Sequence, residues 1–179
     1  TVVVNFFMTL RGKWGALRTN LPIRWFYAGA IMYFITCLQC SFQVTWTFQK
    51  IIHFTDWVVG HAHMIMFGTF TFWIFGTMDW LWPRVVKRQW YSDSLRSWHF
   101  WLSLIGIVIM FLDLTMAGLI HGFMQRELNP WSDIMEASVP FWWVRTFSGG
   151  MMIVGLLCML TNMWMTARSD RVYVEETHF

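Results

Sequence analysis

Four long apolar stretches, separated by short polar ones, organise the chain. They run from about Ile23 to Val44, Asp56 to Trp82, Ser97 to Phe123 and Pro140 to Ala167. A helix needs about 20 predominantly apolar residues to cross a bilayer, and each stretch is long enough. Tryptophan falls near the ends of these stretches, as it does at membrane–water interfaces. The pattern predicts an all-α transmembrane bundle with four spanning helices, at about residues 23–44, 56–82, 97–123 and 140–167.

The composition agrees with a protein that is dissolved in lipid. Of the 179 residues, 56% are hydrophobic and only 13% are charged, whereas a soluble domain carries about 25% charged residues. The net charge of +3 is small, and the basic residues lie between the apolar stretches rather than in one patch. We therefore exclude a soluble globular domain and expect no nucleic-acid partner.

The basic residues predict how the helices are oriented. Lysine and arginine concentrate before the first stretch, between the second and third, and after the fourth. The loops after the first and third stretches carry one basic residue each, Lys50 and Arg126. Because cytoplasmic loops are enriched in lysine and arginine, both ends of the segment are expected on the cytoplasmic side. Pro22 and Pro140 suit the first turns of helices, and Pro83 is expected to follow the end of one. Residues 122–140 then form an outer loop.

Two cysteines, Cys37 and Cys40, have the CxxC spacing inside the first apolar stretch. This spacing is typical of redox or metal sites in soluble proteins. In a membrane helix, cysteine more often serves as a small apolar residue. We favour that interpretation here and keep the redox or metal site as the alternative.

The second stretch begins with unusually polar residues, in the sequence HFTDWVVGHAHMIMFG from His53 to Gly68. Each residue of an α-helix advances about 100°, so His61 and His63 point about 200° apart. One metal ion would need histidines at i and i+4, so the spacing favours two separate cofactors, and neutral imidazole is a common axial ligand of haem iron. The alternative is a pair of histidines that bond to neighbouring helices or line a polar path. Asp56 can cap the helix.

The same stretch resembles a known family. The pattern H-x-T-x5-H-x-H is similar to the tenth transmembrane helix of subunit I, the catalytic subunit, of haem–copper oxidases, and in particular to the cbb3-type cytochrome c oxidases. The segments NFFMTLRGKW, WHFWLSLIGIVI and VRTFSGG also resemble that subunit. The resemblance covers essentially residues 1–179, as a single transmembrane region that forms the C-terminal portion of a twelve-helix protein. The matching residues are His53, Phe54, Thr55, Asp56, Trp57, Gly60, His61 and His63.

The resemblance implies a terminal respiratory oxidase, which reduces dioxygen to water with electrons from cytochrome c and couples this to proton translocation. His61 would ligate the iron of a high-spin haem b and would be catalytic, because dioxygen binds there. His63 would ligate a low-spin haem b. His53, Asp56 and Arg145 would be partners of the haem propionates. Implied partners are the remaining helices of subunit I, membrane-anchored c-type cytochrome subunits and cytochrome c, in the bacterial inner membrane.

The chain departs from the family pattern in two respects. The family's three copper-ligating histidines, its cross-linked tyrosine and the second ligand of the low-spin haem lie on earlier helices. Copper ligands are therefore expected outside this segment, since His99, His121 and His178 match none of those motifs. In addition, Gln39 stands where many cbb3-type subunits carry a glutamate, which puts that proton route in question.

Several alternatives stay open. Nitric oxide reductase shares the HxH helix but holds non-haem iron in place of copper, and the Asp56–Trp57 pair favours the oxidase. A haem-binding electron-transfer subunit without catalysis, or a plain membrane scaffold, would also fit the histidines. Asp113, deep in the third stretch, belongs either to a proton path or to an ordinary helix contact. Arg145 either meets a propionate or extends to the membrane surface. Asp79 lies near a helix end, where water can solvate it. His121 either approaches a propionate or, as we favour, lies solvated at the surface.

Overall fold

The computed structural model describes residues 1–173, and His178 lies outside them. Helices account for nearly all of the regular structure, and Arg88 and Val172 form an isolated antiparallel bridge. A π-helical segment, Met64–Thr71, joins the fifth and sixth α-helices. The α-helices are α1 Val2–Thr9, α2 Ala16–Thr19, α3 Leu21–Gln43, α4 Trp46–Ile52, α5 Asp56–His63, α6 Phe72–Val86, α7 Asp93–Arg126 and α8 Trp131–Arg168.

Four helical spans are long and apolar enough to cross a membrane, which confirms the predicted all-α bundle. They are α3, the continuous unit from α5 through the π-helical segment to α6, α7 and α8. At the start of α3, the Asn20 side chain accepts a hydrogen bond from the Ile23 backbone N–H at 3.1 Å. Pro22 lies in the first turn as predicted, because no helical hydrogen bond is required of its nitrogen there.

Two of the prolines do not mark helix ends. Pro140 lies inside α8, which begins at Trp131, and Pro83 lies inside α6. The predicted outer loop therefore shrinks to residues 127–130. Ile134 and Ser138, one turn apart, are buried, and this packing offsets the single backbone hydrogen bond that the Pro140 nitrogen cannot donate. The fourth spanning helix thus extends nine residues before its predicted start.

The core lies between α3, the π-helical segment and α7. Trp25 and Phe72 meet edge to face, with ring centroids 4.8 Å apart, and Met32, Met64 and Ile107 are buried beside them. The π-helical turn is wider than an α-helical one. A Cβ atom on its Gly68 would lie only 2.5 Å from the sulfur of Met32, so the glycine allows α3 to approach.

Close backbone contacts fix the end of α4 and the start of α5 against α7. A Cβ atom on Gly118 would lie 1.9 Å from the backbone nitrogen of Trp57, and one on Gly122 would lie 1.9 Å from the carbonyl oxygen of Ile51. Only glycine fits at such positions. These contacts determine where the first turn of α5, and with it the histidine pair, lies in the bundle.

A buried ion pair closes the connection between α6 and α7. The guanidinium of Arg96 donates to both carboxylate oxygens of Asp79, at 2.8 and 2.7 Å. Asp79 is 8% exposed, so the expectation that it is solvated was wrong: Arg96, which lies in the first turn of the next helix, replaces water as its partner. Asn162 of α8 holds the same connection through both backbone groups of Ser92, at 3.0 and 2.9 Å.

Candidate functional site

His61 and His63 lie in the last turn of α5, which is regular α-helix up to His63. The geometry of about 100° per residue therefore applies to both side chains. His61 is half-buried against α3, whereas His63 is exposed. The prediction that the two imidazoles point to different faces of one helix is confirmed.

The ring of His61 is held by two neighbours. Its Nδ1 lies 3.1 Å from the amide oxygen of Gln39 on α3, and its plane stacks on the indole of Trp57, with centroids 5.7 Å apart and 7° between the planes. An amide oxygen can only accept, so in this arrangement Nδ1 carries the hydrogen. The Nε2 lone pair of His61 is then available to a metal.

Cys40 faces that free nitrogen. Its sulfur lies 3.7 Å from Nε2 of His61, within the range of a weak thiol hydrogen bond. Both Cys37 and Cys40 are free thiols on the exposed side of α3, a position that a small apolar residue can occupy on a spanning helix. Because Cys40 is at the surface of the segment, its thiol can rotate away and leave Nε2 open.

The ring of His63 is oriented by a contact within its own helix. Its Nδ1 lies 2.8 Å from the carbonyl oxygen of Val59, one turn earlier in the same helix. A carbonyl also only accepts, so Nδ1 again carries the hydrogen and Nε2 keeps its lone pair. The ring projects from the exposed face of α5, where a further helix or a flat cofactor has access.

Asp56 and Arg145 come together at the start of α5. Their Oδ1 and Nη1 atoms are 3.9 Å apart, a long ion pair between α5 and α8. Asp56 lies in the first helical turn, where the helix dipole favours negative charge. It is not the cap that the sequence predicted: Thr55 is the N-cap residue, and its hydroxyl donates to the Ile52 carbonyl at 2.7 Å.

This ion pair is aligned with His63. His63 follows Asp56 by seven positions, which is close to two full helical turns. Both residues therefore lie on nearly the same face of α5, about 10 Å apart along its axis. Arg145, which pairs with Asp56, therefore lies on the side of α5 from which His63 projects. Of the three predicted propionate partners, the structure therefore brings Asp56 and Arg145 to one place.

His53 stands apart from this pair. It is exposed in the connection between α4 and α5, and its ring packs on Phe54 at 4.1 Å. Phe54 has a positive φ of 61°, which turns the chain between the two helices. Within residues 1–173, no hydrogen bond or ion pair joins His53 to Asp56 or Arg145.

The donor set fits haem and does not fit a copper centre. Axial haem ligation requires an imidazole whose Nδ1 is engaged and whose Nε2 keeps its lone pair, and both His61 and His63 meet this requirement once the Cys40 thiol has rotated away. Across residues 1–173, no three histidine, cysteine, aspartate or glutamate side chains converge as metal ligands. No copper chemistry is therefore assigned to this part of the chain.

Other site residues escaped the sequence reasoning. Gln39 was noted only as a departure from a family pattern, and nothing in the local periodicity shows that it reaches His61, 22 residues later. The stack of Trp57 on His61 could have been predicted from the sequence, because the two residues are four positions apart on one helix. His121 was expected to be solvated but is 7% exposed, and its Nε2 lies 3.0 Å from the Gln125 amide nitrogen.

Known proteins are similar to this chain in sequence and in fold. The family model for cytochrome c and quinol oxidase polypeptide I matches residues 1–152. The cytochrome c oxidase subunit 1 of Rhodobacter capsulatus is 33% identical over 92% of this chain and 32% of its own length. The cbb3-type cytochrome c oxidase subunit CcoN1 of Stutzerimonas stutzeri is 30% identical over 94% of this chain and 37% of its own.

A solved structure of a haem–copper terminal oxidase dimer has a similar fold. Its TM-score is 0.71 at 16% identity, over 96% of this chain and 32% of that one. A nitric oxide reductase polypeptide of Stutzerimonas stutzeri is less similar, at 22% identity over 83% of this chain and 28% of its own length. The chain thus spans about a third of the length of the relatives it matches. With four spanning helices and a family match over residues 1–152, it belongs, as a multi-pass membrane protein, to the family of cytochrome c and quinol oxidase polypeptide I, subunit I of the haem–copper oxidases.

Proposed function

We propose that this chain is the C-terminal part of the catalytic subunit of a cbb3-type terminal oxidase. The complete enzyme would reduce dioxygen to water with electrons from cytochrome c and couple this reaction to proton translocation. The observation that carries the proposal is the pair of imidazoles at the end of α5. Each Nδ1 atom is engaged, at 3.1 Å for His61 and 2.8 Å for His63. The two Nε2 atoms keep their lone pairs on different faces of the helix, and that of His61 meets only the exposed Cys40 thiol, at 3.7 Å.

His61 is the proposed axial ligand of the high-spin haem b. When bound, the haem iron supplies the redox chemistry and the position where dioxygen binds. The chain's own part is to hold the imidazole neutral and in one orientation. Gln39 fixes the tautomer and Trp57 fixes the ring plane, so that Nε2 points in one direction before the haem arrives.

His63 is the proposed axial ligand of the low-spin haem b. Its ring is oriented by the carbonyl oxygen of Val59 in the same turn of helix. Because His61 and His63 are two residues apart in a regular helix, the backbone between them holds the two ligand positions at a fixed separation. Such a short and rigid connection suits electron transfer between two haems.

Asp56 and Arg145 are the proposed partners of the propionates. The guanidinium of Arg145 is 40% exposed and can donate to a carboxylate in addition to Asp56. Asp56 keeps Arg145 on the α5 side of α8 while that second carboxylate is absent. His53 is assigned to the same role from the family resemblance alone, since the structure gives it no partner in this cluster within residues 1–173.

The rest of the active centre would come from the remaining helices of subunit I. These would supply copper, its ligands and the second ligand of the low-spin haem. Membrane-anchored c-type cytochrome subunits would deliver electrons. We place the segment in the bacterial inner membrane from the family resemblance, and the distribution of arginine and lysine supports an orientation with both of its ends on the cytoplasmic side.

One experiment tests the haem assignment directly. The intact complex is purified, and reduced-minus-oxidised optical spectra are recorded with and without carbon monoxide. Two haem b signals are expected, of which one shifts with carbon monoxide. A single haem signal, or two signals that carbon monoxide does not shift, would contradict the assignment as an oxidase and favour an electron-transfer subunit. Metal analysis distinguishes the nitric oxide reductase alternative, since that enzyme would contain non-haem iron and no copper.

A further inference from the structure

Asp113 is a buried carboxylate on α7, at the level of Arg145 on α8. Helices α7 and α8 run antiparallel: Gly155 lies against Ser103, and Gly149 lies against the Met110 side chain. One further turn in the same register brings Asp113 of α7 to the level of Arg145 of α8.

Asp113 has no hydrogen-bond partner among residues 1–173. It is 9% exposed, and its buried Oδ2 atom is unpaired. Asp79 provides the contrast, because it is equally buried, at 8%, but accepts two hydrogen bonds from Arg96. An ionised carboxylate without such bonds is costly in a membrane interior, whereas a protonated carboxyl is not.

The cluster holds two carboxyl groups and one guanidinium. Arg145 is engaged by Asp56 across 3.9 Å, so its charge compensates one carboxylate. A second ionised carboxylate would leave one net negative charge in a medium of low dielectric constant. The cluster is close to neutral only when one of the two carboxyls carries a proton. Asp113 is the deeper and less solvated of the two, since Asp56 is 19% exposed.

We propose that Asp113 is a proton-binding group inside the membrane, controlled by Arg145. While Arg145 pairs with Asp56, Asp113 is a neutral carboxylic acid. When Arg145 is released from Asp56, because Asp56 has taken up a proton, its guanidinium becomes the partner of Asp113. The Asp113 carboxyl then dissociates into a carboxylate and a proton that passes to water. The cluster keeps the same total charge in both states.

This proposal goes beyond the assignment of the haem ligands, but it shares Asp56 and Arg145 with the proposed propionate site and therefore rests on Asp56, rather than a propionate, balancing the charge of Arg145. Neither His61 nor His63 takes part, and the change occurs among Asp56, Asp113 and Arg145 alone. Any loss of the Asp56 charge would ionise Asp113.

Infrared spectroscopy of the purified complex tests the proposal. Protonated carboxyl groups absorb in a region where few other protein groups do, and their band shifts when the proton exchanges for deuterium. The difference spectrum between samples in H2O and D2O is recorded for the wild type, Asp113→Asn, Asp56→Asn and the double variant Asp56→Asn/Arg145→Gln. Asp133→Asn is the control, because Asp133 is an exposed carboxylate of α8. The haem optical spectrum checks that each variant has assembled.

The expected pattern is specific to the three-residue cluster. Asp113→Asn loses one carboxyl band that Asp133→Asn retains. Asp56→Asn loses the same band although Asp113 is present, because the freed Arg145 ionises it. The double variant regains the band, since no guanidinium is left. If Asp113→Asn fails to assemble, Asp113→Glu should move the band to a different frequency. A wild-type band set that survives Asp113→Asn, or is unchanged by Asp113→Glu, would overturn the proposal, as would a band retained in Asp56→Asn.

Discussion

The amide oxygen of Gln39 on α3 lies 3.1 Å from Nδ1 of His61 on α5. This contact decides which imidazole nitrogen carries the hydrogen, and it leaves Nε2 free. It also joins the two helices at the level of the candidate haem ligand. A residue that differs from many cbb3-type subunits is thus the one that orients the histidine.

The first prediction concerns the strength of that hydrogen bond. Gln39→Glu should make the acceptor stronger and lower the midpoint potential of the carbon-monoxide-binding haem, because a charged acceptor increases the basicity of the imidazole. Gln39→Leu should raise the potential and weaken haem retention about 10–100-fold, as is typical when an outer-shell partner of a metal ligand is lost. Potentiometric titration of the haem spectrum measures both effects.

Gln43→Leu is the matched control for this prediction. Gln43 ends the same helix, one turn beyond Gln39, and within residues 1–173 it makes no side-chain hydrogen bond to His61. Equal changes of potential in the Gln39 and Gln43 variants would mean that the Gln39–His61 contact does not tune the haem.

The second prediction separates the two histidines. His63→Ala should remove the low-spin haem signal and leave carbon-monoxide binding, whereas His61→Ala should remove the carbon-monoxide-sensitive signal. The reason is that each Nε2 faces a different side of α5. His121→Ala is the comparison and should retain both signals, since its imidazole meets Gln125 of its own helix and has no proposed role at either haem. Optical spectra of purified complexes decide the matter, and retention of both signals in both ligand variants would refute the assignment.

The sequence could predict those features that depend on one element at a time. Four apolar stretches predict four spanning helices, and the two-residue spacing predicts two faces for His61 and His63; the structure confirms both. Contacts between distant elements could not be predicted in this way. The Gln39–His61 bond and the Asp79–Arg96 pair depend on how helices pack, and no local pattern reports that. The predicted start of the fourth helix at Pro140 was wrong, because the burial of Ile134 and Ser138 outweighs the one backbone hydrogen bond that the proline cannot donate.

The third prediction uses the Asp79–Arg96 ion pair. Asp79→Ala leaves the buried guanidinium of Arg96 without its two-point partner, and the expected cost is about 3–5 kcal/mol in the free energy of unfolding. Asp93→Ala removes the other carboxylate bound to Arg96, but Asp93 is 87% exposed, and exposed pairs contribute about 0–1 kcal/mol. Thermal denaturation of the two variants in the same detergent should therefore differ strongly, and similar losses would show that burial does not govern this pair.

The last prediction tests whether the close approach of α5 and α7 holds the histidines in place. Gly118→Ala puts a Cβ atom 1.9 Å from the backbone nitrogen of Trp57, and backbone cannot yield as a flexible side chain does. The first turn of α5 must then move away, at a cost of about 1–3 kcal/mol or more, and the ring that stacks on His61 moves with it. Gly150→Ala makes the same chemical change where nothing lies within 4 Å. We expect purified Gly118→Ala complex to lose part of its haem b content per polypeptide while Gly150→Ala keeps it, as measured by haem extraction and protein assay. Equal haem content in the two variants would show that the α5–α7 contact is not required to position the ligands.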